Sequence, residues 1–198
     1  MMYTLLLDSS DIYLSVGLAK DGKLLFKENY YAWQRQSEYM VHEIEKILKK
    51  ANVSLMEIDR IAVGIGPGSY TGVRISLAIA KTLIVISKAK LIPLSSLQIM
   101  GNTHEKYIAL MHARSGRSYI GIYENGKNLI EDQVIENSKL FDFIDPYVEK
   151  GFTLKGNLDY LNLEISVKED IIDGLLSHSL ISLPCDNPKA IKPVYLKD

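Results

Sequence analysis

The order of elements in the N-terminal half is the feature that most restricts the fold. We predict an apolar strand at Tyr3–Leu7, a second at Ile12–Ala19, a two-residue turn at Asp21-Gly22, a return strand at Lys23–Tyr31 and an amphipathic helix at Ser37–Ala51. The turn favours a type I′ hairpin, because both of its central residues need a positive φ. This order predicts a lobe in which an antiparallel sheet carries one helix.

The second half repeats this order. We predict strands at Tyr107–Met111 and Ser118–Glu124, a turn at Asn125-Gly126, a return strand at Asn128–Ile135 and a helix at Lys139–Glu149. Gly22 and Gly126 are 104 residues apart, as are Asp8 and His112, the residues that end each first strand. Because two landmarks share one spacing, we predict an α/β fold of duplicated βββα lobes, spanning residues 1–102 and 103–198.

Further elements follow each unit. A buried strand, a helix and a short strand are predicted at Ile58–Ile65, Thr71–Lys88 and Lys90–Leu94. Near the C-terminus, Phe152–Lys155 is predicted as a strand and Asn157–Leu163 as a helical turn or loop. The pattern of Ile171–Leu183 fits a short helix or a strand equally well.

Charge and cysteine usage exclude several classes of protein. The 198 residues carry 23 Lys and Arg against 24 Asp and Glu, a net charge of -1. A protein that binds nucleic acid by its own surface needs a basic excess. With Cys185 as the single cysteine, neither an intrachain disulfide nor a cysteine zinc site is expected. No signal peptide is apparent, and the apolar stretch Leu77–Ile86 is about half a membrane span, so we expect a soluble cytoplasmic protein.

The segment GIGPGSYTGVRIS, residues 64–76, predicts a tight turn between a strand and a helix N-terminus. Backbone N–H groups and the helix dipole at such a turn can bind an anion. The spacing matches neither GxxxxGK[ST] nor GxGxxG, so glycines that only shape the corner remain the alternative. The residues of this candidate phosphate loop are Asp8, Ser9, Ser10, Gly66, Gly68, Ser69 and Gly72.

No catalytic constellation is evident. His112 occupies the position that matches Asp8, so the two first strands do not supply a pair of carboxylates. The four histidines lack HxxxH or HExxH spacing, and Ser69 lacks the flanks of a nucleophile elbow. We therefore predict neither a catalytic residue nor a metal site.

The helix after the glycine turn is apolar on more than one face. Its cations, Arg74, Lys81 and Lys88, recur at every seventh position along one line. A helix on a small lobe needs only one apolar stripe, so a second burial surface is expected, either within this chain or on a partner. The candidate partner-binding residues are Tyr39, Met40, Leu77, Ile79, Ile84 and Ile86.

Four segments resemble the bacterial TsaB (YeaZ) family, which is the non-catalytic paralogue of TsaD in tRNA threonylcarbamoyladenosine synthesis. They are residues 5–18, 58–83, 109–123 and 192–196, and GPGSYTGVRI is the most specific of their motifs. The resemblance implies two actin-like (ASKHA, RNase H-like) lobes. The chain differs from the family pattern at Gln36, at His112 and in its short C-terminal region.

The resemblance also implies a function and partners. The chain is expected to pair with a TsaD-like catalytic subunit, to be joined by a TsaE-like ATPase, and to form a homodimer in isolation. It would meet tRNA only through the complex, and ATP or ADP would bind at a complex interface rather than to the isolated chain. One alternative is an autonomous ASKHA-type phosphotransferase that uses Asp8. Another is an RNase H-like nuclease. Glycoprotease activity is not expected.

Overall fold

The computed structural model describes residues 1–163 and 170–196, and these form two sheets with flanking helices. The elements of the first sheet and its helices are β1 (Tyr3–Asp8), β2 (Tyr13–Lys20), β3 (Lys23–Tyr31), α1 (Gln36–Ala51), β4 (Ile58–Gly64), α2 (Tyr70–Ser87) and β5 (Lys90–Leu94). Those that follow are β6 (Lys106–His112), β7 (Arg117–Glu124), β8 (Lys127–Glu136), α3 (Asn137–Val148), β9 (Thr153–Lys155) and α4 (Ile171–Ile181).

The first sheet is covered by helices on both faces. Its strand order is β3-β2-β1-β4-β5, with β1 parallel to β4 and antiparallel to β2. Alternate residues of a strand point to opposite faces, so Leu5 and Leu7 join the core under α1 and α2. Leu6 faces the other way and packs in the cluster that holds Leu175 of α4.

The second sheet has the order β8-β7-β6-β9 and repeats the hairpin of the first. Ile108 and Ile120 pack under α3, whereas Tyr107 faces the opposite side with Leu97. Both hairpin turns have positive φ at their two central residues, as the sequence predicted for Asp21-Gly22 and Asn125-Gly126. The predicted α/β fold of two βββα lobes is confirmed.

The segment with the ambiguous pattern, Ile171–Leu183, contains the helix α4 and not a strand. Although α4 follows the second sheet in the chain, it packs on the first sheet, against β1, β2, β4 and β5. It also contacts the second sheet, because Nε2 of its buried His178 lies 3.2 Å from the hydroxyl of Tyr107. The division at residue 102 stays a prediction, and the contacts of α4 cross it.

Helix α2 is longer than the apolar stretch noted in the sequence. By length and composition alone, Tyr70–Ser87 is able to cross a membrane. In this fold, however, Val73, Leu77 and Ala80 are fully buried or nearly so, on the side of α2 that faces the first sheet. The helix therefore forms a layer of the first lobe.

Candidate functional site

The glycine turn between β4 and α2 packs against the loop that follows β1. A Cβ added at Gly72 would overlap the carbonyl oxygen of Ser9, and one added at Gly68 would overlap that of Ser10. Ser9 Oγ donates to the carbonyl oxygen of Gly72 at 2.8 Å, which holds the two loops together. These glycines therefore allow a close approach of two backbone segments.

The N–H groups of this turn are largely bonded within the chain. The N–H of Ser69 donates to the carbonyl oxygen of Ser10 at 2.6 Å, and that of Gly66 donates to Ser96 Oγ at 3.0 Å. Ser69 is also the N-cap of α2, since its Oγ accepts from the N–H of Gly72 at 3.2 Å. The N–H groups of Gly66, Ser69 and Gly72 are thus already used within the chain, and phosphate binding here stays a prediction without support from these bonds.

Asp8 lies beneath the turn and is only 2% exposed. Its Oδ2 accepts from both the N–H and the Oγ of Ser10, each at 3.0 Å. Its Oδ1 is buried with no hydrogen-bond partner, in the space that a Cβ of Gly64 would fill. Burial raises the pKa of this carboxyl to about 7, although the bonds from Ser10 oppose the shift. Asp8 is therefore an enclosed group and does not face an open cleft.

The C-terminal segment covers the other side of the turn. The N–H of Val194 donates to the carbonyl oxygen of Ile65 at 2.7 Å. Gly66 has a φ of 103° and leaves no room for a Cβ beside the carbonyl oxygen of Val194. Two of the family-like segments, GPGSYTG and KPVYL, therefore form one unit, a pairing that sequence reasoning missed because about 120 residues separate them.

The second lobe has no matching carboxylate at the end of its first strand. His112 is exposed there and stacks on Tyr160 with ring centroids 4.7 Å apart. Between the lobes, Asp132 of β8 accepts hydrogen bonds from Ser95, after β5, and from Tyr123 of β7. Among residues 1–163 and 170–196, no three His, Cys, Asp or Glu side chains are grouped to hold a metal ion.

The six candidate partner-binding residues divide into three groups. Met40 and Leu77 lie in the core of the first lobe, with exposures of 0% and 3%. This corrects their assignment to a surface, because both point from their helices towards the sheet. Tyr39, Ile79 and Ile84 are half-buried against the core, and Ile86 is 51% exposed.

Helices α1 and α2 pack side by side and leave apolar side chains exposed that the sequence analysis did not select. Val41 of α1 is 57% exposed, and Val85 of α2 is 74% exposed. Ala78, Thr82 and Val85 follow the helical spacing i, i+4, i+7 and share an exposed face. This spacing in the sequence indicates that the three residues share one face of α2. We call Val41, Ala78, Thr82, Val85 and Ile86 the helical surface.

Comparisons with known proteins agree with this description. A family model described as "TsaD: tRNA N6-adenosine threonylcarbamoyltransferase" matches residues 31–169. The tRNA threonylcarbamoyladenosine biosynthesis protein TsaB of Bacillus subtilis is 28% identical, over 88% of this chain and 77% of that protein. TsaB of Escherichia coli is 30% identical, over 64% of this chain and 57% of that protein.

The solved structures confirm the fold. YeaZ from Pseudomonas aeruginosa superposes with a TM-score of 0.82 at 23% identity, covering 99% of this chain and all of that one. Its likeness extends through both sheets and α4, so the arrangement expected from the resemblance is the observed one. On the family model, the curated relatives and this fold together, the chain belongs to the TsaD family of threonylcarbamoyltransferases, in its TsaB (YeaZ) branch.

Proposed function

We propose that the chain is an accessory, non-catalytic subunit of tRNA threonylcarbamoyladenosine biosynthesis that supports a TsaD-like catalytic subunit. The enclosed glycine turn is the observation that carries the non-catalytic part of this proposal. A phosphotransferase or nuclease must present carboxylates to its substrate. Here Asp8 is buried, and its counterpart is His112.

The helical surface supports the pairing role. Exposed apolar residues on two helices that pack against each other favour association with another protein. We propose that the TsaD-like subunit binds there and that a second copy of this chain binds there in its absence. A TsaE-like ATPase would join the pair, with ATP or ADP held at an interface of the complex. tRNA would be bound through the complex, in the cytoplasm.

A second candidate function, autonomous phosphotransfer, has less support. Such an enzyme would use Asp8 and the residues from Gly66 to Gly72 as its phosphate site. In the fold, Ser9, Ser10 and Val194 fill the space around those glycines with the chain's own backbone. A glycoprotease role, suggested by one structure described as similar to "peptidase YEAZ", lacks a metal-ligand group in the described parts of the chain.

The test is a reconstitution with the TsaD-like subunit of the same organism. Val85→Glu and Ile86→Glu place a charge on the helical surface, and Leu129→Glu, at a 47% exposed position of β8, is the control. We expect the two helix variants to melt like the wild type but to lose capture of the TsaD-like subunit and support of threonylcarbamoyl transfer to tRNA. The control should retain both.

Two results would contradict the proposal. One is threonylcarbamoyl transfer by the TsaD-like subunit at full rate without this chain. The other is ATP hydrolysis by the isolated chain that disappears in Asp8→Ala, which would favour the phosphotransferase instead.

A further inference from the structure

The charges on α2 are unusual because none is negative. From Tyr70 to Ser87 the helix contains two cations, Arg74 and Lys81, and no Asp or Glu. Lys81 is already bound, since its Nζ donates to the carbonyl oxygens of Lys189 at 3.0 Å and Ile191 at 2.6 Å. Arg74 is exposed and makes no ion pair with the described part of the chain.

The C-terminal segment, residues 185–195, crosses this part of the first lobe as a strap. Its N–H groups at Cys185 and Val194 donate to the carbonyl oxygens of Leu91 at 2.9 Å and Ile65 at 2.7 Å. The strap thereby places Tyr195 against the first turn of α2, where its ring stacks on that of Tyr70 with centroids 5.1 Å apart.

Arg74 completes this cluster. Its Nη1 donates to the hydroxyl of Tyr70 at 2.5 Å, and its guanidinium carbon lies 5.1 Å from the centre of the same ring. We call Tyr70, Arg74 and Tyr195 the strap corner. Tyr70 and Tyr195 remain 60% and 42% exposed although both rings are held in place.

A cluster of this kind is suited to protein recognition. Tyr and Arg are, with Trp, the residue types enriched among those that dominate binding energy at protein interfaces. Because stacking and hydrogen bonding already fix these side chains, association loses little of their conformational entropy. The guanidinium has N–H donors left in the fork geometry that matches a carboxylate.

We propose that the strap corner receives an Asp or Glu carboxylate of the TsaD-like subunit, an inference that rests on the function proposed above. The surroundings favour a protein carboxylate over the phosphates of tRNA. Contact with a nucleic-acid backbone requires several free cations. Arg74 is the cation of the strap corner itself, beside the apolar side chains of α2, because the strap carbonyls hold Lys81 and the exposed Lys189 and Lys192 lie elsewhere along the strap. The partner should therefore present one carboxylate in an apolar patch.

The experiment measures binding of the TsaD-like subunit of the same organism to Arg74→Glu, Arg74→Lys, Tyr195→Ala and the control Lys127→Glu. Lys127 is an exposed cation at the start of β8 in the second lobe. Loss of a charge-assisted hydrogen bond weakens binding about 10- to 100-fold, so Arg74→Glu should weaken it at least about 10-fold. Arg74→Lys and Tyr195→Ala should have smaller effects, and Lys127→Glu should bind within about twofold of the wild type.

Thermal melts and a charge exchange on the partner complete the test. Each variant should melt like the wild type, since Arg74 and Tyr195 are exposed. If Tyr195→Ala melts at a lower temperature, the binding of the two Arg74 variants still tests the proposal. Replacing the partner's acidic residues singly with Arg should identify one whose change restores binding of Arg74→Glu. Failure of every such replacement would overturn the proposal.

The remaining outcomes are also decisive. If the wild type captures the TsaD-like subunit and Arg74→Glu captures it equally well, the strap-corner proposal fails and the proposed function stands. Loss of self-association alone would identify a second copy as the occupant, and loss of tRNA binding alone would identify a phosphate; either overturns the proposal. A wild type that captures no TsaD-like subunit overturns both proposals together.

Discussion

The two lobes share one order of elements but end their first strands differently. In the first lobe, Asp8 is enclosed by the glycine turn and capped by Ser10. In the second lobe, His112 at the matching position is exposed and stacks on Tyr160. A duplicated topology therefore supports two different environments at equivalent positions.

The difference shows how this fold can hold the carboxyl group of Asp8 without exposing it to solvent. The first lobe has α1 and α2 on one face, α4 on the other, and the strap over the turn. In the second lobe, the end of β6 lies at the surface. Substitutions around the enclosed Asp8 should consequently affect folding, whereas those at His112 should have little effect on it.

Gly72→Ala should give the largest effect. Its Cβ would overlap a backbone oxygen of Ser9, which cannot move away as a side chain would. We expect a loss of about 3 kcal/mol in the free energy of unfolding, measured by urea denaturation. Gly116→Ala in the second lobe is the control, because no atom lies within 4 Å and only the positive φ costs about 1–2 kcal/mol. Equal losses would show that the first lobe is not closely packed here.

Asp8→Asn should change how stability depends on pH. The folded pKa of Asp8 is raised to about 7 from 3.8, so the native state holds a proton that the unfolded state has lost. This contribution is complete below about pH 3.8 and disappears as the pH rises to about 7, with a slope of up to about 1.4 kcal/mol per pH unit. Asp8→Asn should lack this decline.

The measurement for Asp8 is urea denaturation at intervals between pH 4 and pH 8. Asp142→Asn, at an exposed position of α3, controls for the change in net charge. Parallel curves for Asp8→Asn and the wild type would contradict a protonated, enclosed Asp8.

Asp132→Ala tests the contact that joins the two lobes. It removes the acceptor for the hydroxyls of Ser95 and Tyr123, leaving two polar groups without this partner. We expect a loss of about 1–3 kcal/mol and faster amide exchange in β8 and in the loop after β5. Asp142→Ala is the exposed control. Unchanged exchange in both segments would show that Asp132 does not couple the lobes.

His112→Ala should give the smallest effect. Removing an exposed ring stacked on Tyr160 should cost about 0.5 kcal/mol, because aromatic pairs contribute little when solvent surrounds them. Thermal denaturation of His112→Ala and Asp8→Ala in parallel measures the contrast between the lobes. A larger loss for His112→Ala would reverse the comparison.

Several features of the fold were predictable because neighbouring residues specify them. The turns Asp21-Gly22 and Asn125-Gly126 have the positive φ values that their sequences favour. The predicted apolar spacing of α1 matches its buried Met40, Ile44, Ile47 and Leu48. That same burial shows why Met40 was misplaced in the partner surface: a stripe identifies the apolar face of a helix but not what covers it.

Other features had no local signal. The helix α4 is apolar around most of its circumference, with buried residues that include Ile172, Leu175 and Leu176, so its sequence does not select one sheet over the other. Its place on the first sheet depends on contacts with strands that precede it by more than 70 residues. Sequence periodicity carries no information about such contacts.

The sequence by itself determined the two lobes, their hairpins, the position of the glycine turn and the absence of paired carboxylates on β1 and β6. Those features depend on residue type, on φ preference and on spacing within one element. Only the tertiary structure decided that Asp8 is enclosed, that Val194 covers Gly66, and that Leu77 faces inward while Val85 faces out. These depend on packing between segments far apart in the chain, because burial is set by what lies opposite a side chain and not by the side chain itself.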